Sequence, residues 1–169
     1  MILSILLNLG LLSTLMCGWF SIYNMFNESN YKIKGNYISF IHSISSCSIC
    51  YLYLNTEYFN NINVLYGLVL FSSSYFIYDL IYLYNFNKLK DFYMYIYHHV
   101  ITVTILLVAY NSEATYEENN KILFHRDAYM TLFHLGELSN FFNYIVYHLI
   151  KKKYLILFTN LVKTVQLFW

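Results

Sequence analysis

The sequence predicts an all-α membrane protein, a multi-pass bundle of about six transmembrane helices with a short last helix. Apolar residues make up 59% of the 169-residue chain and charged residues only 11%, against about 25% charged residues in soluble domains. Five stretches are apolar and long enough to cross a bilayer, which takes about 20 residues, and the C-terminus begins a sixth. The predicted spans are 1–26, 37–54, 64–84, 92–110, 128–150 and 154–169.

The length leaves room for a single domain, residues 1–169, and for no separate soluble catalytic module. A net charge of +1 gives no basic footprint for nucleic acid. The first span lacks a basic n-region and a small-residue cleavage site, so we expect it to be retained in the protein. These features together predict an integral membrane protein that does not bind nucleic acid.

The distribution of Lys and Arg predicts how the helices are oriented. The first, third and fifth loops hold seven lysines, Lys32, Lys34, Lys88, Lys90, Lys151, Lys152 and Lys153. The second loop and the fourth, residues 111–127, hold only Lys121 and Arg126. Because cytoplasmic loops carry the excess of positive charge, loops one, three and five are expected in the cytosol and the N-terminus outside.

Ionisable side chains lie inside these predicted spans: His42, Asp79, His98, His99, His134, Glu137 and His148. Such groups are costly in a bilayer, and they face a protein interior or a wet cavity. At 1.5 Å per residue, four helices place His42, Asp79, His98, His99 and Glu137 in the cytosolic half or at the centre of the membrane. Hydrogen bonds that hold helices together, worth about 0.6 kcal/mol each, are the alternative for any one residue. For the set we favour a polar pocket that opens to the cytosol.

Helical spacing groups the pocket candidates. Steps of three or four residues place His134, Glu137, Phe141, Tyr144 and His148 on one stripe of the fifth helix. On the fourth helix, Tyr95, His98 or His99, and Thr102 share a face in the same way. The residues expected to line a ligand pocket are His42, Tyr95, Thr102, His134 and Tyr144.

Several short motifs resemble the TLC-domain membrane proteins, which include ceramide synthases and smaller lipid-homeostasis proteins. An Asp-Phe pair precedes a His-His pair by the ceramide-synthase spacing and a Thr follows, and a Glu-Leu-Ser element lies on the next helix. An aromatic-rich segment ends in Asp-Leu, a Ser-x-x-His begins the second span, and an Asn opens the last. In this chain they are Asp91-Phe92, His98-His99, Thr102, Glu137-Leu138-Ser139, Tyr78-Asp79-Leu80, Ser39 with His42, and Asn160, spread over residues 37–160.

The resemblance implies a helical bundle around a lipid-binding pocket in the endoplasmic reticulum or a host-derived endomembrane. Ceramide synthases use their His pair to transfer an acyl group from acyl-CoA to a sphingoid amine. A histidine can accept a proton from the nucleophile or attack the thioester itself. The implied catalytic residues are His98 and His99, as base and nucleophile in either order, with Asp79 or Glu137 as the orienting carboxylate. Acyl-CoA would be a co-substrate, and no metal or other cofactor is implied.

The chain also departs from the family pattern. The ceramide-synthase element His-Asp-x-x-Asp is missing, and Tyr129, Met130 and Phe133 stand at the corresponding positions. We therefore expect a protein that adjusts membrane lipid composition by binding lipids, sphingoid bases or fatty acyl chains, without full ceramide-synthase activity. An acyl-CoA-dependent lipid N-acyltransferase that uses His98 and His99 is the alternative. The specific lipid and the oligomeric state, homo-oligomeric or hetero-oligomeric, stay open.

Two other membrane chemistries fit the sequence less well. Di-iron desaturases and hydroxylases need about eight histidines in repeated His-x-x-His-His boxes, whereas this chain has six, with Tyr95 at the first position of such a box. Haem ligation by His42 with His98 or His99 is conceivable from paired helices, but no further feature favours it. Cys47 and Cys50 lie within the second span, where thiols usually pack as small apolar groups.

Overall fold

The computed structural model describes residues 2–85, 89–111 and 120–151. Over these ranges the chain forms five α-helices and no strand, which confirms the predicted all-α class. The helices are α1 (Ile2–Met25), α2 (Tyr31–Asn55), α3 (Ile62–Asn85), α4 (Leu89–Asn111) and α5 (Asn120–Lys151). The predicted span 154–169 lies outside the described residues.

Helix α2 begins at Tyr31, within the segment predicted to be the first loop. Its N-cap is Asn30, whose side-chain oxygen accepts a hydrogen bond from the backbone N–H of Lys32 at 3.0 Å. The Glu28 carboxylate accepts a further bond from the backbone N–H of Asn30 at 3.1 Å. Side chains of this kind satisfy the unpaired N–H groups of a first turn, so the helix extends beyond its apolar stretch.

Helix α5 begins at Asn120, so the prediction of a loop over residues 120–127 is wrong. Arg126 lies in this helix and its Nε donates to the carbonyl of Ala109, near the end of α4, at 3.2 Å. At 1.5 Å per residue the 32 residues of α5 extend about 48 Å. Because a bilayer core is about 30 Å thick, α5 is long enough to carry its polar first turns outside the hydrocarbon.

Among the residues that the structure describes, three helical segments are long and apolar enough to cross a membrane, namely Leu6–Met25, Tyr31–Asn55 and Ile62–Asn85. Only 6% of the apolar window in the first is buried inside the protein, against 44% and 50% in the other two. A helix with so little buried surface leaves most of its apolar side chains facing outwards. These properties are consistent with an integral membrane protein in which α1 lies at the periphery.

The helices form a closed ring of four with one helix outside. Helix α2 packs against α3 and α5, and α4 completes the ring by packing against α3 and α5. Helix α1 packs on α3 and, less extensively, on α2. The ring therefore has an interior that side chains from four helices reach, and α1 covers the joint between two of them.

Two apolar clusters hold this arrangement. The first, which we call the distal core, fills the end of the ring where α2 and α4 end and where α3 and α5 begin. Its buried members are Cys50, Tyr53, Leu65, Leu68, Val69, Leu106, Ala109, Met130 and Phe133. The second joins α1 to α2 and α3 around Trp19, whose indole N–H donates to the Ser74 hydroxyl at 3.0 Å. The distal core closes one end of the ring, and the polar side chains lie towards the other.

Gly35 permits a close approach of α3 to α2. A Cβ at this position would lie 2.8 Å from the Tyr82 hydroxyl oxygen and 2.9 Å from a carbon of the same ring. The Tyr82 hydroxyl donates a hydrogen bond to the carbonyl of Tyr31, one helical turn earlier on α2. The absence of a side chain at residue 35 therefore allows the Tyr82 ring to lie against the helix backbone.

Candidate functional site

A cavity of about 610 Å³ opens at the end of the ring where α2 and α4 begin and α3 and α5 end. Its volume lies within the roughly 300–1,000 Å³ of ordinary ligand pockets. Exposed residues such as Lys32 and Asn143 form part of the wall, so the cavity reaches the surface. At its inner end the wall is formed by buried side chains, among them Asp79 and Glu137.

The described lining mixes ionisable and polar side chains with aromatic ones. It combines carboxylates, imidazoles, amides and a hydroxyl with a set of aromatic rings. The polar members are Lys32, Asn36, Ser39, Asp79, His98, His99, Glu137, Asn140 and Asn143, and the aromatic ones are Tyr31, Tyr75, Phe76, Tyr82, Tyr95, Tyr144 and Tyr147. This lining offers hydrogen-bond donors, acceptors and aromatic faces to one ligand.

His99 and Asp79 form a direct pair across α4 and α3. His99 Nε2 lies 2.9 Å from Asp79 Oδ2, and the residues are only 5% and 8% exposed. The imidazole also stacks on Phe76, with ring centroids 4.6 Å apart. The pairing and the stacking together fix the orientation of the ring. Its Nδ1 is buried and has no hydrogen-bond partner in the described part of the chain.

His98 occupies a different position from its neighbour. Successive helical residues point about 100° apart, so His98 lies on the exposed side of α4 and still lines the cavity. Its ring centroid is 5.5 Å from that of His99. The cavity wall therefore carries one imidazole held by a carboxylate and a second, more accessible one beside it.

A second His–carboxylate contact lies deeper, between α2 and α5. Ser43 Oγ donates to Glu137 Oε2 at 2.8 Å, and His42 Nδ1 lies 3.5 Å from the same oxygen. On its other side, His42 Nε2 lies 3.2 Å from Ser72 Oγ and 3.1 Å from Ser46 Oγ. Buried polar groups need such partners, and this network supplies them to both ionisable residues.

Tyr75 separates this network from the cavity. Its ring stacks on the His42 imidazole with centroids 3.9 Å apart and planes 12° apart. Its hydroxyl donates to Ser39 Oγ at 2.8 Å, and both residues line the cavity. Glu137 also lines the cavity, and its carboxylate contacts the buried histidine.

The structure brings six of the nine predicted site residues to the cavity wall: Asp79, Tyr95, His98, His99, Glu137 and Tyr144. His42 lies one layer deeper, behind Tyr75. Thr102 and His134 do not line the cavity in the described part of the chain. The Thr102 hydroxyl donates to the carbonyl of His98 in its own helix. The backbone carbonyl of His134 instead lies 3.9 Å from Cys47 Sγ.

The predicted stripe on α5 divides between two surfaces. Glu137 and Tyr144 line the cavity, whereas Phe141 stacks on Phe40 of α2 with centroids 5.1 Å apart. His148 packs against Tyr37 in a similar way, at 5.2 Å. At about 100° per residue, a step of four overshoots a full turn by about 40° and a step of three falls short by about 60°, so Phe141 and His148 lie to one side of Glu137 and Tyr144.

Ser39 was named from the sequence beside His42, but the three serines that bond to the buried network, Ser43, Ser46 and Ser72, were not. Ser43 and Ser46 follow Ser39 at steps of four and three residues, so they lie on the same face of α2 as His42. That spacing of small polar residues around an intramembrane histidine was a usable signal. The contribution of Ser72 from another helix had no comparable signal in the sequence.

Searches against protein-family models, curated proteins and solved structures found no match to this chain. Within the described ranges, no three His, Cys, Asp or Glu side chains come together as a metal site. The residues themselves therefore carry the functional argument.

Proposed function

We propose that the protein is a multi-pass membrane protein that binds the polar part of a membrane lipid in the cavity and so acts in membrane lipid homeostasis. The observation that carries this proposal is the buried His99–Asp79 pair on the wall of an open cavity, inside a ring whose helices α2 and α3 can span a bilayer. Ionisable groups at such positions are retained where they face a polar ligand or a wet cavity.

The proposed topology has six spans, with residues 154–169 as the last, and the cavity open to the cytosol. Lys32 stands at the cavity mouth, and the other cytosolic lysines predicted by the positive-inside tendency belong to the loops at the same end. A lipid of the cytosolic leaflet would then have its headgroup at the depth of the mouth. The resemblance to TLC-domain proteins is consistent with the same site, and on that resemblance we propose the endoplasmic reticulum or a host-derived endomembrane as the location.

The closed far end favours binding over passage through the bundle. Beyond the polar layer the ring is filled by the distal core, in which Leu65, Leu106 and Met130 are fully buried. Close-packed apolar side chains leave no continuous polar route across the membrane. A headgroup that enters the cavity must therefore leave through the same end or through the side of the ring.

One specific observation favours a second function, lipid N-acyl transfer. A carboxylate that is hydrogen-bonded to one ring nitrogen of a histidine stabilises the imidazolium formed when the ring accepts a proton. Asp79, at His99 Nε2, is placed to do so. In this reaction the amine nitrogen forms a bond to the thioester carbonyl carbon and loses its proton to an imidazole. The C–S bond then breaks, and the coenzyme A thiolate leaves and is protonated. The missing family aspartates leave lipid binding as our preferred function.

An activity assay separates the two functions. The purified protein in phospholipid nanodiscs, supplied with a long-chain acyl-CoA and a sphingoid base, should form little or no ceramide. Expression in cells should still shift the lipid profile, and His98→Ala should weaken that shift without abolishing it. Thr104→Val is the matched control, because Thr104 is exposed and its hydroxyl donates to the carbonyl of Val100 in its own helix. Robust ceramide formation that disappears in His98→Ala or His99→Ala would establish the enzyme instead.

A further inference from the structure

A second, smaller cavity of about 180 Å³ lies between α2 and α5 beside the polar one. We call it the side cleft; its walls are Tyr37 and Phe40 of α2 and Ile145, His148 and Leu149 of α5, completed by Asn36 and Tyr144. The last two residues also line the polar cavity. The two spaces are therefore neighbours that share a wall.

The two cavities differ in chemistry in the way that the two parts of a lipid differ. The side cleft is bounded mainly by aromatic and aliphatic side chains, whereas the wall of the polar cavity adds carboxylates, imidazoles and amides to its aromatic rings. At their shared wall Asn36 Nδ2 is buried and has no hydrogen-bond partner within the described ranges. A buried donor of this kind is costly unless an acceptor meets it. An ester, amide or phosphate oxygen between a headgroup and its chain is such an acceptor.

The depth of the side cleft suits a lipid of one leaflet. Phe40 lies six residues after Lys34, and Ile145 lies six residues before Lys151, which is about 9 Å along each helix. Half of a bilayer's hydrocarbon is about 15 Å thick. In the proposed orientation, with Lys34 and Lys151 at the surface of the hydrocarbon, the cleft lies within the leaflet next to the cavity mouth, beside the upper and middle parts of its lipid chains.

We propose that the side cleft holds the hydrocarbon chain of the lipid whose headgroup occupies the polar cavity, so that the chain leaves the ring sideways between α2 and α5. This inference rests on the proposed function and adds the binding pose. The distal core prevents the chain from continuing along the ring axis, and the polar wall around Asp79 and Glu137 is a poor surface for methylenes. Lipid tails in the bilayer are as apolar as the cleft walls, so moving the chain into the cleft gains little free energy. The affinity therefore comes from the headgroup, and the cleft determines where the chain runs.

The test uses a phosphatidylcholine with a photoactivatable diazirine in the middle of one acyl chain. The protein is reconstituted in vesicles of phosphatidylcholine and phosphatidylethanolamine that contain this lipid, then purified in detergent to exchange loosely held lipid, and irradiated. Cross-links identified by mass spectrometry should concentrate on Tyr37, Phe40 and Leu149. Ile145→Trp, which fills the cleft, should lower their yield about tenfold, equivalent to about 1.4 kcal/mol. Leu135→Trp is the matched control on an exposed part of α5.

The outcomes separate this inference from the proposed function. Cross-links on the distal core would show that the chain runs along the ring axis. They would overturn the proposed position of the chain in the cleft and leave the proposal of lipid binding intact. A second contrary result is a purified protein that retains lipid but whose cross-links spread over its exposed faces and do not change in Ile145→Trp. That result would also overturn the proposed position of the chain in the cleft. A purified wild-type protein without retained lipid would overturn the proposed function itself.

Discussion

The His99–Asp79 pair can be tested as an energetic link between α3 and α4 by a double-mutant cycle. The variants are Asp79→Ala, His99→Ala and the double variant. A hydrogen bond to a charged group contributes about 1.5–3 kcal/mol in soluble proteins, whereas cycles in a membrane protein average about 0.6 kcal/mol with a maximum of about 1.7. Because the 2.9 Å contact is direct and both residues are buried, we expect a coupling energy of about 1–2 kcal/mol, near that upper limit.

Thiol labelling during denaturation in detergent measures each free energy of unfolding. Cys50 is fully buried, so a thiol-reactive dye reports the opening of the ring when it labels this residue. The background carries Cys17→Ser and Cys47→Ser, because these two cysteines are exposed and half-buried. All variants are compared in the same detergent, so that only the side chains at the pair differ.

A control pair shows whether the cycle measures a specific contact. Thr104→Val combined with Asp79→Ala should give additive effects, because Thr104 is exposed and bonds within its own helix. Independent sites add to within about 0.3–0.5 kcal/mol. A coupling energy inside that range for the histidine–aspartate pair would refute the view that their contact holds the cavity wall.

Two further predictions concern packing and topology. Gly35→Ala should destabilise the protein by about 1–3 kcal/mol, since the added methyl group meets the Tyr82 ring. Gly67→Ala, with no atom within 4 Å of its new Cβ, should instead stabilise the protein by up to about 1 kcal/mol. Thermal denaturation in detergent measures both changes, and equal effects would contradict the close packing at Gly35. In cells, the sequon at Asn27 should stay unglycosylated and a sequon placed at Glu117 should be glycosylated; sugar on Asn27 would invert the proposed orientation.

Hydrophobicity made the helices predictable, and it also limited how well their ends could be predicted. The apolar stretches located all five described helices, because a helix must present apolar side chains to a bilayer or a core over its whole span. The first turns of α2 and α5 are polar and were assigned to loops. In α2 the capping side chain of Asn30 stabilises such a turn, and a hydropathy pattern does not register it.

The candidate site was predictable only one helix at a time. Shared depth identified Asp79, His99 and Glu137, which the structure brings to one wall. The rotation of each helix about its axis depends on packing between helices, which a single sequence does not encode in any simple pattern. For that reason the sequence assigned Thr102 and His134 to the cavity, whose described lining does not include them. The serine network around the buried histidine, with its contribution from Ser72, depends on the same packing.

Native mass spectrometry of the purified protein tests the central claim most directly. The wild type, released from phosphatidylcholine nanodiscs, should retain a bound phospholipid. Asn143→Trp should lose it, because Asn143 lies at the exposed cavity mouth and an indole there obstructs the entrance without disturbing the buried layer. Phe142→Trp, on the neighbouring exposed position, should retain the lipid as the wild type does. Equal retention in both variants, or no retained lipid in the wild type, would contradict a lipid-binding cavity.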